Sequence, residues 1–144
     1  MSVTAEIRSA TRGDIPAMAA IVARWEAETD WNPAHASLEV IENALDEAFD
    51  LREIWVIGDP VEAYISVDPS REHIGGFYVG PKRQGYGKRL MDKVKEGRTH
   101  LTLNTHLPNA DAQRFYAREG FTALEEQAAT LDGMPDELKM EWAA

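Results

Sequence analysis

Two short segments in the second half of the chain carry residue types that could do chemistry. The first runs Tyr78-Val79-Gly80-Pro81-Lys82-Arg83-Gln84-Gly85-Tyr86-Gly87-Lys88-Arg89-Leu90-Met91. It reads as a strand that opens through glycines into a basic helix. Such a junction exposes unpaired backbone N–H groups at the positive end of the helix dipole, which is a seat for a phosphate. The amides of Gln84, Gly85, Tyr86, Gly87 and Lys88 would wrap the oxygens, with Lys82, Arg83, Lys88 and Arg89 around them. Other phosphate loops do not fit. Tyr86-Gly87 stand where a P-loop needs Lys and Ser/Thr, and Leu90 stands where a dinucleotide fingerprint needs glycine. The second segment, Asn109 to Phe121, reads as a short helix with an aromatic pair, Phe115-Tyr116, stopped by Gly120.

Charge singles out the first segment. Between residues 82 and 98, seven Lys and Arg face two carboxylates, a net of +5 in a chain of net charge −10. A basic island in an acidic protein calls for an anionic guest or for internal partners. The overall acidity, with a pI near 4.8, argues against nucleic acid as that guest, because phosphate neutralisation dominates such binding. The 144-residue chain has no cysteine, which excludes disulfides, thiolate nucleophiles and cysteine-held zinc. His100 and His106 bracket a strand but gather no further ligands, so no metal is expected. No apolar run near the first residues suggests a signal peptide, and none is long enough to span a membrane. The expectation is one cytoplasmic domain over residues 1–144.

The elements that must position these segments follow from periodicity. Ile7-Arg8 ends a first strand, and Asp14 caps a helix with Ile15, Met18, Ile21, Val22 and Trp25 on one face. Ser37 caps a second helix with a stripe of Leu38, Ile41, Leu45 and Phe49. Ile54–Ile57, Val61–Val67 and His73–Val79 read as an antiparallel meander, since their connections are too short for parallel crossovers. The basic helix and Leu101–Thr105 then complete a βαβ unit. Gly75-Gly76 marks a bulge or a close approach to ligand in the third meander strand. Phe121 onward and Leu138 to Trp142 supply two more strands. The fold class is α/β: a mixed, mostly antiparallel sheet with one parallel βαβ unit.

Ile7-Arg8 with Ala10-Thr11 and Asp14-Ile15, the Val79–Met91 loop, and Asn109 with Ala112, Phe115-Tyr116 and Gly120-Phe121 resemble the Gcn5-related N-acetyltransferase (GNAT) superfamily from Ile7 to Trp142. Lys82 stands where the family's loop begins with Gln or Arg, and Pro81 to Gly85 is one or two residues short. The resemblance implies an acetyl-CoA-dependent N-acetyltransferase without metal. It makes the loop the pyrophosphate seat, and the strand carrying Phe77, Tyr78 and Val79 the partner of the pantetheine amides. Asn109 and Phe115 join the cofactor contacts. Tyr116 becomes the acid that protonates the departing thiolate. A phenol holds its proton at neutral pH, so it can do this.

An amine acceptor arrives protonated and must lose a proton. Glu72 and His73, at the start of the central strand, are the candidate bases, with Asp30 and Asp68 behind them. Trp25, Trp31, Tyr64 and Asp30, with Glu26 and Glu28, form the expected pocket for a cationic small-molecule or peptide amine. Direct attack in a ternary complex is expected, with the Val79 amide polarising the thioester carbonyl. Two alternatives stand beside this reading: a catalytically silent acyl-CoA-binding domain acting through a protein partner, and a nucleic-acid module using Lys82–Arg98. A homodimer is left open.

Overall fold

The computed structural model of the protein describes residues 6–32, 36–80, 85–129 and 133–144. Strand β1 (Ile7–Ser9) leads into helix α1 (Ile15–Glu28), and helix α2 (Leu38–Ala48) follows. Strands β2 (Glu53–Ile57), β3 (Ala63–Asp68) and β4 (His73–Val79) form the antiparallel meander. Helix α3 (Tyr86–Lys95) crosses over to β5 (His100–His106), which pairs parallel with β4. Helix α4 (Ala110–Arg118), β6 (Thr122–Gln127) and β7 (Glu137–Ala143) come last. The seven strands make one sheet in the order β1-β2-β3-β4-β5-β7-β6. The mixed α/β architecture is the expected one.

Both faces of the sheet are covered, so β3 is buried almost throughout and lacks the alternation of a half-exposed strand. Ile54, Val56 and Tyr64 pack on one face against Met18, Ala19 and Val22 of α1 and Ile41 of α2. On the other face, Leu90, Met91 and Val94 of α3 meet Ile65, Val67, Leu101 and Leu103. Each of those three α3 side chains is fully buried, contributing roughly 1.5–3 kcal/mol relative to exposure. One expectation changes. Leu38, the first residue of α2, is 51% exposed, so that helix's buried stripe begins at Ile41.

Sheet geometry produces an opening. Ser66 pairs with Gly76 and Val67 with Ile74, which leaves Gly75 as an extra residue in β4. The bulge bends the strand where the glycine pair suggested. Parallel pairing of β4 with β5 covers only His73–Thr102 and Ile74–Leu103. Beyond Ile74, β4 and β5 part, while β7 pairs with β5 along its whole length.

Much of the basic island has internal partners. Arg98 reaches both carboxylate oxygens of Glu53 at 3.0 and 3.1 Å and the Val94 carbonyl at 2.7 Å. Lys95 donates to the Glu119 carbonyl and lies 5.0 Å from the Trp142 ring centre. Lys93 sits 4.6 Å over Trp55 and 3.3 Å from Glu96. These cations brace α3 and do not wait for a guest.

The turn into α1 is held by a buried carboxylate. Arg8 grips Asp14 with two hydrogen bonds of 2.7 and 2.8 Å, and the Thr11 N–H donates to the same carboxylate at 2.8 Å. Asp14 does stand at the N-cap position of α1. Its side chain, however, makes no capping bond to that helix and turns back to Arg8 and Thr11. The Arg8 hydrogen bonds outweigh burial and hold the Asp14 carboxyl at about 2. A folded value below the unfolded one means this stabilisation is full above the unfolded pKa and lost as pH falls toward 2. Asp14→Asn should therefore cost roughly 2 kcal/mol at pH 7. Denaturant melts should show parent and variant converging as pH drops through 4 to 2; a gap independent of pH would remove the carboxylate from this role.

Candidate active site

The slit between β4 and β5 has a defined backbone polarity. The Gly80 N–H donates to the Glu62 carbonyl at 2.8 Å. In an antiparallel pair amide direction alternates, so Tyr78 and Gly80 turn their N–H groups to β3, while Phe77 and Val79 turn theirs toward β5. Since β5 has already diverged, those groups face the slit. A cavity of about 720 Å³ fills it, lined from one face by Trp25 and Tyr78 and from the other by Phe115 and Tyr116. The sheet is open to both sides at this point.

Helix α3 begins beside the slit. Gly85 takes a left-handed conformation at its N-cap (φ 75°), which favours glycine there. The first backbone bond into the helix runs from the Arg89 N–H to the Gly85 carbonyl. The N–H groups of Tyr86, Gly87 and Lys88 thus lack helical partners. Gly87 lies against the Phe115 ring, where a Cβ would come within 3.4 Å. Beside it is a cavity of about 160 Å³ lined by Phe77, Val79, Gly87, Ala112, Phe115 and Tyr116. Lys88 is exposed and pairs with Asp92 and Glu119 at 3.5 and 3.6 Å. Arg89 Nη1 is buried without a hydrogen-bond partner among the described residues. Lys82, Arg83 and Gln84 lie outside the described residues.

Helix α4 presents the aromatic pair. Asn109 Oδ1 accepts the Ala112 N–H at 3.2 Å, so this residue is an N-cap that also borders the cavities. At the other end, Gly120 is left-handed, with Gly120 N–H to Ala117 and Phe121 N–H to Tyr116 closing the helix as expected. Phe77, Phe115 and Tyr116 meet one another edge-on or tilted, with ring centres 5.7–6.2 Å apart. Burial, reinforced by Tyr78, pushes the Tyr116 phenol well above the usual tyrosine range. It keeps its proton at neutral pH.

The opposite face is a wider cavity of about 900 Å³, with Trp25, Trp31, Asp30, Asp111 and the Arg24–Glu28 ion pair in its wall. It shares Trp25, Tyr78, Val79, Asn109 and Asp111 with the slit, so the two meet at the end of β4. Trp25 makes edge contacts with Trp31 and with Tyr78, each at 5.7 Å. Tyr64 lies behind Tyr78, 2% exposed, and reaches neither cavity wall.

Of the sequence-derived base candidates, Glu72 and His73 stand at the closed end of the slit, and Asp30 lines the wider cavity. His73 Nδ1 is 2.8 Å from Thr102 Oγ1, and burial, with Arg71 close by, lowers its pKa. Glu72 faces His100 at 3.8 Å and does not line the slit. Six residues of extended chain, roughly 20 Å, separate His73 from Val79. Asp68 is tied to Ser70 and Arg52. Asn104 and Glu137, which the sequence does not single out, and His106, considered there only as a metal ligand, all line the slit. The alternation of β5 carried that signal: Leu101 and Leu103 are buried, so Thr102, Asn104 and His106 face the other way.

Comparison with known proteins agrees with this geometry. The family model described as the acetyltransferase (GNAT) domain matches residues 50–123, just over half of the chain. The chain belongs to the GNAT acetyltransferase family, and it is an N-acetyltransferase. The peptidyl-lysine N-acetyltransferase YiaC of Escherichia coli K12 is 27% identical over 123 residues, covering 80% of this chain and 82% of that protein. The structure of YncA of Salmonella typhimurium, determined with its cofactor acetyl-CoA, superimposes with a TM-score of 0.73 at 19% identity, covering 98% and 94% of the two chains. The ribosomal-protein-S18-alanine N-acetyltransferase of E. coli gives 0.72 at 21%, covering 96% and 93%. Among the described residues, no helix is long and apolar enough to cross a membrane, and no group of three or more metal-ligating side chains is present.

Proposed function

We propose that this protein moves the acetyl group of acetyl-CoA to a primary amine by direct attack in a ternary complex. The observation that carries this reading is the slit itself, with backbone donors on its edge, a protonated phenol on one face and an aromatic cleft bearing Asp30 on the other. The pyrophosphate takes the N–H groups of Tyr86, Gly87 and Lys88, with Arg89 beside them. Pantetheine lies along Phe77–Val79 as an added strand would. The Val79 N–H polarises the thioester carbonyl, and Tyr116 protonates the thiolate as the C–S bond breaks. Asn109 and Phe115 border the cofactor.

The amine arrives from the α1 face. Trp25, Trp31 and Tyr78 offer ring faces to a cation, worth about 0.5–2 kcal/mol each, and Asp30 attracts it, whereas Glu28 and Asp111 are paired with Arg24 and Arg114. The names of YiaC and of the S18 enzyme speak of lysine and of alanine on a protein, which favours a lysine side chain or a peptide terminus here. With no cysteine in the chain, a direct transfer needs no acyl-enzyme.

The test is to supply acetyl-CoA and an N-terminally blocked peptide with one lysine, following free thiol and peptide mass together. One acetylated peptide per thiol, with intersecting initial-rate lines, is expected. Tight cofactor binding without thiol release would instead indicate a silent binding domain.

Two substitutions separate the steps. Tyr116→Phe should lower kcat by roughly 10²–10⁴ with acetyl-CoA affinity little changed; equal turnover would remove the phenol from the mechanism. Gly87→Val places branched carbons in the cavity beside Phe115. Calorimetry should then show coenzyme A affinity at least about tenfold weaker, with the melting temperature held within a few degrees. Undiminished affinity would place the phosphate seat elsewhere.

A further inference from the structure

We propose that His106 is the general base of this reaction, taking a proton from the incoming ammonium through Nε2. The inference rests on the acetyl-transfer reading above and names a residue within its site. His106 Nδ1 lies 2.9 Å from the Pro135 carbonyl oxygen. A carbonyl has no proton to give, so Nδ1 is the donor, and in the neutral ring the lone pair is on Nε2. The turn bearing that carbonyl is itself fixed, because the Leu107 N–H donates to the Asp136 carbonyl at 2.9 Å. The ring is therefore locked in one tautomer at the rim of the slit.

Its surroundings suit a proton acceptor. The Trp31 ring lies 5.4 Å away and forms a wall that joins His106 to the Trp25 and Tyr78 side of the cleft. Glu137 stands directly across the β5–β7 ladder. The Leu107–Asp136 bond makes this a non-hydrogen-bonded pair, the arrangement in which facing side chains come closest. Three other polar groups of the slit suit the task less well. Asn104 has no basic atom, Glu26 already accepts the Ala36 N–H at 3.1 Å, and Asp111 pairs with Arg114.

Base and acid then stand on opposite faces of the sheet. His106 shares the face of Trp31, whereas Tyr116 belongs to the Phe77–Phe115 side. The ammonium gives one proton to Nε2, and the freed amine attacks the thioester carbon, forming C–N. As C–S breaks, the thiolate takes the Tyr116 proton. The second proton lost by nitrogen returns to the tyrosine oxygen through water, and the imidazolium discharges to solvent. Amide, thiol and one released proton balance the reaction.

His106→Asn provides the test, since its side-chain amide keeps a donor for the Pro135 carbonyl and lacks the second nitrogen. Two probes are compared: the lysine peptide, and the same peptide carrying an aminooxy group, which is uncharged at neutral pH, in place of the ammonium. The variant should lose roughly 10²–10⁴ in kcat on lysine but less than about tenfold on the aminooxy peptide, with coenzyme A affinity unchanged. No loss on lysine, or an equal loss on both probes, would overturn the assignment. Should the Asn variant fail to fold, His106→Gln, which also lacks a basic nitrogen, is read in the same way. If the parent acetylates neither probe, acetyl transfer itself fails and takes the base with it; a parent that works beside an unimpaired variant sinks the base alone.

Discussion

The parting of β4 from β5 after Ile74 and Leu103 governs the rest of the molecule. A sheet interior normally satisfies every backbone N–H and C=O, and leaving one unpaired costs about 1–3 kcal/mol if water cannot reach it. Here the edge from Phe77 to Val79 is kept open, and the bulge at Gly75 sets where the opening begins. The gap persists because each diverging strand is secured on its far side: β4 by β3, and β5 by seven register pairs with β7. Helices on both faces press on the same sheet and leave the slit accessible from each side. Two reactants can therefore meet through the sheet without sharing a path.

Electrostatics follows this division. The cations late in the basic segment are engaged with Glu53, Glu119, Trp55 and Trp142, and they tie α3 to the sheet. The helix start is left as the positive site, through amides without helical partners and the buried Arg89 Nη1, unpartnered among the described residues. Across the sheet, around Trp25 and Trp31, Glu28 and Asp111 are paired with Arg24 and Arg114, and Asp30 lines the cavity beside them. The two faces of the slit thereby differ in charge, with the helix start on one side and Asp30 on the other.

Local patterns made much of this legible. The bounds of β4, the bulge in it, the glycine stop of α4 and the Ser37 cap all followed from residue types whose conformational demands are strong. Long-range placement was another matter. Tyr64 and Trp25 are both aromatic residues near the expected pocket, yet β-strand parity and a neighbouring Tyr78 bury the first and leave the second in the cavity wall. Glu72 and His73 were weighed because β4 is central, but only the paired register shows that they lie at its closed end. His106 was visible as a polar residue of an alternating strand. Its fixed tautomer depends on Pro135, 29 residues away, and no local pattern carries that.

Amide hydrogen exchange tests most directly whether the open strand edge is the cofactor's seat. Rates at Phe77 and Val79, and at Tyr86, Gly87 and Lys88, should be compared with and without acetyl-CoA. Selective slowing at these amides, with Tyr78 little altered because β3 already protects it, is the predicted result. Bound acetyl-CoA that leaves Phe77 and Val79 exchanging as fast as before would contradict the account.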